Sequence, residues 1–286
     1  MDFLQQLLGL DRLTEVVDIG ANPIDGDPPY KPMLKQGLCR VTGFEPQPEA
    51  LAQLNQAKGP NERYLPYAVG DGGTHTLNVS RASGMTSLFE LHSDTLAMFP
   101  FFGKAGEVLE RVPVSTHALD GLSDIERLDF LKIDIQGAEL SVFQHGSEKL
   151  KSAVMVQTEL SFIPLYKDQP VLGDIDLELR RQGFVPHCFA AIKRWPVSPC
   201  LLNGNPRHAL NQLLEADLVY MRDLRYPERF TDDMLRHLAM LAYHCYNSFD
   251  VSMRCIELLQ SRGRLAPNTV AAFTKAIPPE RVPRPA

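Results

Sequence analysis

Residues 131–139 (LKIDIQGAE) bring Asp134, Gln136 and Glu139 close together where an apolar run ends in a glycine. Such a run is a buried strand, so these groups fall at its carboxyl end and in the first turn of the following helix. Asp134 is the hardest to dismiss, because a carboxylate among buried aliphatic residues costs free energy without a purpose. In that place it takes a proton from a substrate hydroxyl or holds a cationic group. Asp134, Glu139 and Glu159, the last at the end of the next apolar run, are the candidate catalytic acids, with His117 a further candidate base. For Glu139 a plainer role stays open, since an acid favours the positive start of a helix.

A second group of residues has the chemistry of a nucleoside site. Residues 17–26 (VDIGANPIDG) form a turn after the first strand, with Gly20 where backbone must approach a ligand closely. The dinucleotide pattern G-x-G-x-x-G is absent, because Asn22 and Asp25 stand where its second and third glycines belong. Glu45 ends the second strand, where a carboxylate accepts both ribose hydroxyls of a nucleoside at the switch point. Asp71 follows the third strand and can accept from the exocyclic amine of adenine, although Asp at a Gly-flanked turn needs no ligand to explain it.

Positioning these groups requires strands alternating with helices. Residues 15–20, 40–46, 63–70 and 128–135 read as strands, followed by 154–159, 185–191 and 216–222. Helical spacing covers 49–58, 138–150 and 174–182, with Gly183 placed to end the last. The fold class is α/β, a mostly parallel Rossmann-like sheet with helices on both faces. Segment 72–120 breaks the rhythm with strands at 74–80 and 112–116 and is expected as an insertion over the carboxyl edge of the sheet. The cofactor-type domain is placed at 1–225. Beyond it, residues 226–286 hold a helix pair at 231–246 and 252–263 and a frayed Pro/Arg tail from 278. Leu235, Leu238, Ala242 and Cys245 share one helical face, and Tyr243, His244 and Tyr246 lie beside it. The pair is a cap, a homo-oligomer contact or an appended module, and the sequence leaves these open. Trp195 either stacks on a ligand ring or anchors a loop.

With 286 residues, 44% hydrophobic and 22% charged, the chain can bury a sizeable core. Its net charge of −6 disfavours nucleic acid as a partner. Five scattered cysteines point to a reducing compartment, and with no signal peptide or membrane span in view the expectation is cytoplasmic. Eight histidines make no metal pattern, and Asp134 with Glu159 is too small a ligand set for magnesium, so no metal is expected.

The run DFLKIDIQGAEL, with VVDIGAN and GFEPQPEAL upstream and SGMTSL at 83–88, resembles the FkbM-type family of S-adenosylmethionine-dependent methyltransferases over about residues 14–225. The resemblance implies a class I methyltransferase sheet, S-adenosylmethionine as cofactor and a hydroxyl acceptor on a sugar, glycan or polyketide-type metabolite. It also implies that Asp18, Gly20 and Asn22 line the cofactor loop, Glu45 holds ribose, Asp71 lies by adenine and Asp134 by the methionine end. Where the family continues Asn-Ile-Gly, Pro23 follows Asn22 here and residues 25–30 (DGDPPY) lengthen the loop. Tyr30 is brought in there as a helper for the methionine carboxylate. A nicotinamide oxidoreductase and a silent binding module are the alternatives. The first lacks the glycine pattern, and the second has no use for Asp134.

Overall fold

Apolar side chains alternate along the strands and so divide between two faces of a sheet. In a computed structural model the described residues are 2–22, 26–99, 101–205, 208 and 210–281; Pro23, Ile24 and Asp25 of the first loop and residues 282–286 of the tail lie outside them. The strands are β1 (Thr14–Ile19), β2 (Cys39–Phe44), β3 (Glu62–Leu65), β4 (Ala68–Gly70), β5 (Thr74–Ser80), β6 (Val108–Ala118), β7 (Phe130–Ile133), β8 (Met155–Ser161), β9 (Phe184–Arg194) and β10 (Leu213–Arg222). The helices are α1 (Phe3–Leu8), α2 (Lys31–Lys35), α3 (Pro48–Ala57), α4 (Ser93–Met98), α5 (Phe101–Ala105), α6 (Glu139–Gln144), α7 (Ser147–Leu150), α8 (Leu172–Arg181), α9 (Asp232–Tyr246), α10 (Phe249–Ser261) and α11 (Thr269–Ala276).

The main sheet has the order β3-β2-β1-β7-β8-β10-β9. β10 runs antiparallel to both neighbours, and the remaining pairs are parallel. This is the expected Rossmann-like α/β sheet. Val16, Phe130, Met155 and Val219 face α1, α2, α9 and α10, packing with Leu4, Met33, Leu235, Leu238 and Ile256. Val17, Leu131, Val156 and Leu218 face the other way, onto Val142, Phe143, Ile175 and Leu179 of α6 and α8.

Three elements differ from their sequence reading. The strand expected at 63–70 is cut at Pro66, which has no N–H for a ladder: β3 stays beside β2, while β4 joins a second sheet of order β4-β6-β5. The helix expected at 138–150 breaks into α6 and α7 at Gly146, where a Cβ would sit 2.5 Å from Leu119 Cδ2. The residues after 226 hold more than the helix pair. A further helix, α11, follows the pair, and Leu235, Leu238 and Ala242 belong to the core cluster that contains β1, β2 and β7 side chains. The apolar face of α9 is buried against the sheet.

The start of α9 is bound to the lower edge of that sheet. Thr231 caps it by accepting the Met234 N–H at 3.1 Å. The Arg12 guanidinium donates to Asp129 at 2.6 and 2.8 Å and to Asp233 at 2.6 Å. Asp129, Asp233 and His237 are the group with metal-ligand geometry among the described residues, and the Arg12 guanidinium is the cation between the two carboxylates. No helix among the described residues is long and apolar enough to cross a membrane.

Deleting residues 227–286 would uncover the α9 face of the sheet. The truncated chain should be insoluble or lose its cooperative thermal transition, whereas a monomeric truncation melting as the full chain does would contradict this packing. In the intact chain Leu238→Ala should cost about 2–5 kcal/mol, read from urea midpoints.

Candidate active site

A cavity of about 430 Å³ opens at the carboxyl ends of β1, β2 and β7 and runs on toward β10. That size suits a small molecule, for which roughly 300–1,000 Å³ is usual. Gly20 shapes its floor. The residue has φ +76°, and a Cβ there would collide with the backbone carbonyl oxygen of Asp134. β1 and β7 are joined just beside it, where the Asp134 N–H donates to the Ile19 carbonyl at 3.0 Å. Only glycine lets the two strand ends close in this way.

Asp18, Gly20, Asn22, Glu45 and Asp134 all line the cavity. Asp18 is buried and accepts from the Tyr30 hydroxyl at 2.5 Å. Lys132 Nζ lies 3.4 Å from Asp18 Oδ1 and 3.3 Å from the Gly20 carbonyl. Burial pushes the Asp18 carboxyl upward, opposed by Lys132 and Tyr30. Burial pulls the Lys132 ammonium downward, but Asp18 and Asp134 carry it above its ordinary value, so it stays cationic. Lys132 was missed in the sequence. Its signal was a charge at the alternate position from Phe130 and Asp134, directly opposite Asp18 in the β1–β7 register.

Tyr30 sits in the core behind Asp18, off the cavity wall. Asp71 lies outside the cavity as well. It is exposed and off the wall, its Oδ1 held by His75 Nε2 (2.8 Å), the Gly73 N–H (2.7 Å) and Thr116 Oγ1 (3.1 Å). His75 and these donors keep its carboxyl down at about 2. The break at Pro66 moves this turn into the second sheet, leaving Tyr67, Ala68 and Val69 on the wall instead.

Beyond Asp134 the chain makes a strained turn, with Gln136 at φ +57° and Gly137 at φ +110°. Gln136 ties its surroundings together. Its amide donates to Asp134 at 3.0 Å and Glu159 at 2.7 Å, while its oxygens accept from the Tyr166 hydroxyl (3.0 Å) and the Ser87 hydroxyl (2.6 Å). Glu139 does not face the cleft. It turns inward and accepts from the Ile135 N–H at 2.9 Å and the Gly137 N–H at 3.0 Å, and burial raises its carboxyl to about 7. Glu159 also stands behind the wall, accepting from Lys193 at 2.9 Å; burial, Asp134 and Glu215 push it upward. His117 is exposed and packs on Tyr67, off the wall. Of the candidate acids, Asp134 alone reaches the cavity.

The far end of the cavity mixes apolar, aromatic and charged groups: Met85, Phe102, Trp195, Lys193, Glu215 and Asp217. Trp195 stacks on Phe101 at 5.0 Å. Below it, Gln157 accepts from the hydroxyl of Tyr246, the last residue of α9, at 2.8 Å. Tyr243 and His244 pack among the C-terminal helices instead.

The implied cofactor is a nucleoside with a cationic sulfur and a zwitterionic amino acid, and the cavity fits it. Gly20, closed against the Asp134 carbonyl, puts bare backbone on the wall. Glu45 presents a buried carboxylate, and Asp18 Oδ1 is a buried oxygen with no hydrogen-bond partner.

The Methyltransferase FkbM domain matches residues 18–186. The 2-O-methyltransferase NoeI of Sinorhizobium fredii is 28% identical over 171 residues, which are 57% of this chain and 70% of that protein. Among solved structures, a magnesium protoporphyrin IX methyltransferase from Synechocystis with bound S-adenosylmethionine shares 12% identity at TM-score 0.38, covering 77% of this chain and 76% of its own. A putative methyltransferase from Thermoplasma acidophilum is similar at 12% identity and TM-score 0.37, covering 78% and 76%. The domain match sets the nicotinamide and silent-module readings aside. With more than half its length in that domain, the chain belongs to the FkbM family of S-adenosylmethionine-dependent methyltransferases.

Proposed function

We propose that the protein methylates a hydroxyl oxygen of a sugar, glycan or similar polyhydroxylated metabolite. The observation that carries this is the continuity of the cavity: it passes from the Gly20 turn and Glu45, past Asp134, to a wall of Trp195, Glu215 and Asp217. An aromatic face beside acceptor oxygens suits a ring that is apolar on its faces and hydroxylated at its rim. The relative whose name specifies 2-O-methyl transfer supports an oxygen acceptor.

In this reading Glu45 accepts the ribose hydroxyls, the 20–22 backbone follows the nucleoside, and Tyr67–Val69 take the adenine side in place of Asp71. The bound cofactor supplies an activated methyl group on a sulfonium. Asp134 stands between the two ends of the cavity and takes the acceptor hydroxyl's proton as it becomes a nucleophile. Gln136 holds the Asp134 carboxylate in place, and alignment of the acceptor supplies much of the acceleration. Among the described residues no group with metal-ligand geometry lies on the wall, so turnover is expected in excess chelator. Cys39, Cys188, Cys200, Cys245 and Cys255 are free thiols, which favours a cytoplasmic setting.

Labelled S-adenosylmethionine offered with a panel of neutral saccharides should yield O-methyl product, identified by NMR; transfer only to nitrogen or carbon acceptors would reject the proposal. Glu45→Ala should weaken S-adenosylhomocysteine binding by about 1–3 kcal/mol, and unchanged calorimetric affinity in a folded variant would remove Glu45 from the ribose role. Asp134→Asn should lower the saturated rate about 10²–10⁴-fold while leaving cofactor affinity nearly unchanged; a fall in affinity alone would make it an anchor instead of a base.

Glu139→Gln should keep most of the activity and change stability instead. The folded protein holds the Glu139 proton up to about pH 7, whereas an unfolded chain releases it near 4.3. That contribution to stability is complete below the unfolded value and is lost as pH rises through the folded one. Urea midpoints should therefore show the wild type losing stability relative to Glu139→Gln between about pH 4.5 and 7, and a difference constant over that window would count against a buried, protonated carboxyl.

A further inference from the structure

We infer that Lys132 is the residue that receives the carboxylate of the cofactor's methionine part. Its ammonium lies on the cavity wall beside the Gly20 turn. An ammonium has three N–H donors. One donates to the Gly20 carbonyl at 3.3 Å, and Asp18 Oδ1 stands 3.4 Å away as an ion-pair partner. Both distances exceed the roughly 2.7–2.9 Å of a charge-assisted hydrogen bond, so the cation is not saturated by its neighbours. A third donor is left for the cavity.

Among the charged groups at this end of the wall, Lys132 alone attracts an anion. Asp18, Glu45 and Asp134 are carboxylates that repel one. Pro28 and Pro29, also on the wall, have no N–H to donate. The other cationic wall residue, Lys193, stands at the far end beside Trp195 and is paired with Glu159 at 2.9 Å. A ligand with an ammonium and a carboxylate fits this alternation when its carboxylate meets Lys132 and its ammonium meets Asp18, whose Oδ1 has no hydrogen-bond partner. Asp18 and Asp134 keep the ammonium charged despite its burial.

This inference rests on the family's cofactor and not on the proposed acceptor, so binding alone tests it. Calorimetry on the full chain would compare S-adenosylhomocysteine, its decarboxylated analogue and methylthioadenosine, which lacks the amino-acid part. Wild type should bind S-adenosylhomocysteine about tenfold or more tightly than the decarboxylated analogue. Lys132→Met should remove that difference while leaving methylthioadenosine affinity within about twofold, and Lys132→Arg, which keeps the charge, should restore part of it. Equal wild-type affinity for the two homocysteine analogues overturns the inference, and that result needs no variant to fold. An equal loss of S-adenosylhomocysteine and methylthioadenosine in Lys132→Met also overturns it, because a loosened Gly20 turn would weaken both.

Discussion

Between the carboxyl ends of β1 and β7 there is room for backbone only. The Asp134 carbonyl oxygen occupies the space where a side chain on residue 20 would begin. Because the strands meet there, Asp18 and Lys132 come into register lower down and Asp134 is lifted onto the rim. The turn that follows, with two successive residues at positive φ, is the continuation of that close approach. A larger residue at position 20 would part the strands and move the cofactor loop and Asp134 together, since each rests on the other's backbone.

Burying so many charges requires that they answer one another. A lone buried carboxylate or ammonium would cost several kcal/mol. Asp18 has Lys132 and the Tyr30 hydroxyl, Glu159 has Lys193 and the Gln136 amide, and Glu139 has backbone N–H groups. Tyr30 thereby joins the loop before α2 to the carboxyl end of β1, although it does not face the cavity. Tyr30, Gln136 and Glu139 hold the groups that line the cavity in place without themselves forming its acidic surface.

Much of this was legible in the sequence, because strand periodicity and the glycine at position 20 are local signals. EVVDIG, RVTGFEP and LDFLKIDI are strands of the main sheet, and Asp18, Glu45 and Asp134 reach its cavity. What was missed depends on tertiary structure. Asp71 looked like an adenine ligand because 63–70 reads as one strand, and only the second sheet reveals that Pro66 divides it. Glu139 and Glu159 carry the right chemistry, but their orientation is decided by the Gln136 turn, which no spacing announces. Lys132 was visible as a charge inside a strand, and its partner Asp18 lies more than a hundred residues away in the chain. The apolar stripe of α9 was plain, whereas the surface it covers was not.

That stripe also sets the depth of the cavity. α9 starts at Arg12 and Asp129 on the lower edge of the sheet and climbs its face over the apolar residues Val16, Phe130 and Met155. It stops where the strands turn polar: Tyr246 reaches Gln157, and Asn247 at φ +54° takes the chain away. One more turn would advance the helix about 5.4 Å, toward the level of Gln157 and Lys132. Helix length here acts as a gauge, dividing one sheet face into a packed lower half and an open upper half. Variation in how far α9 runs would then alter the volume left for a ligand without substituting a residue that lines it.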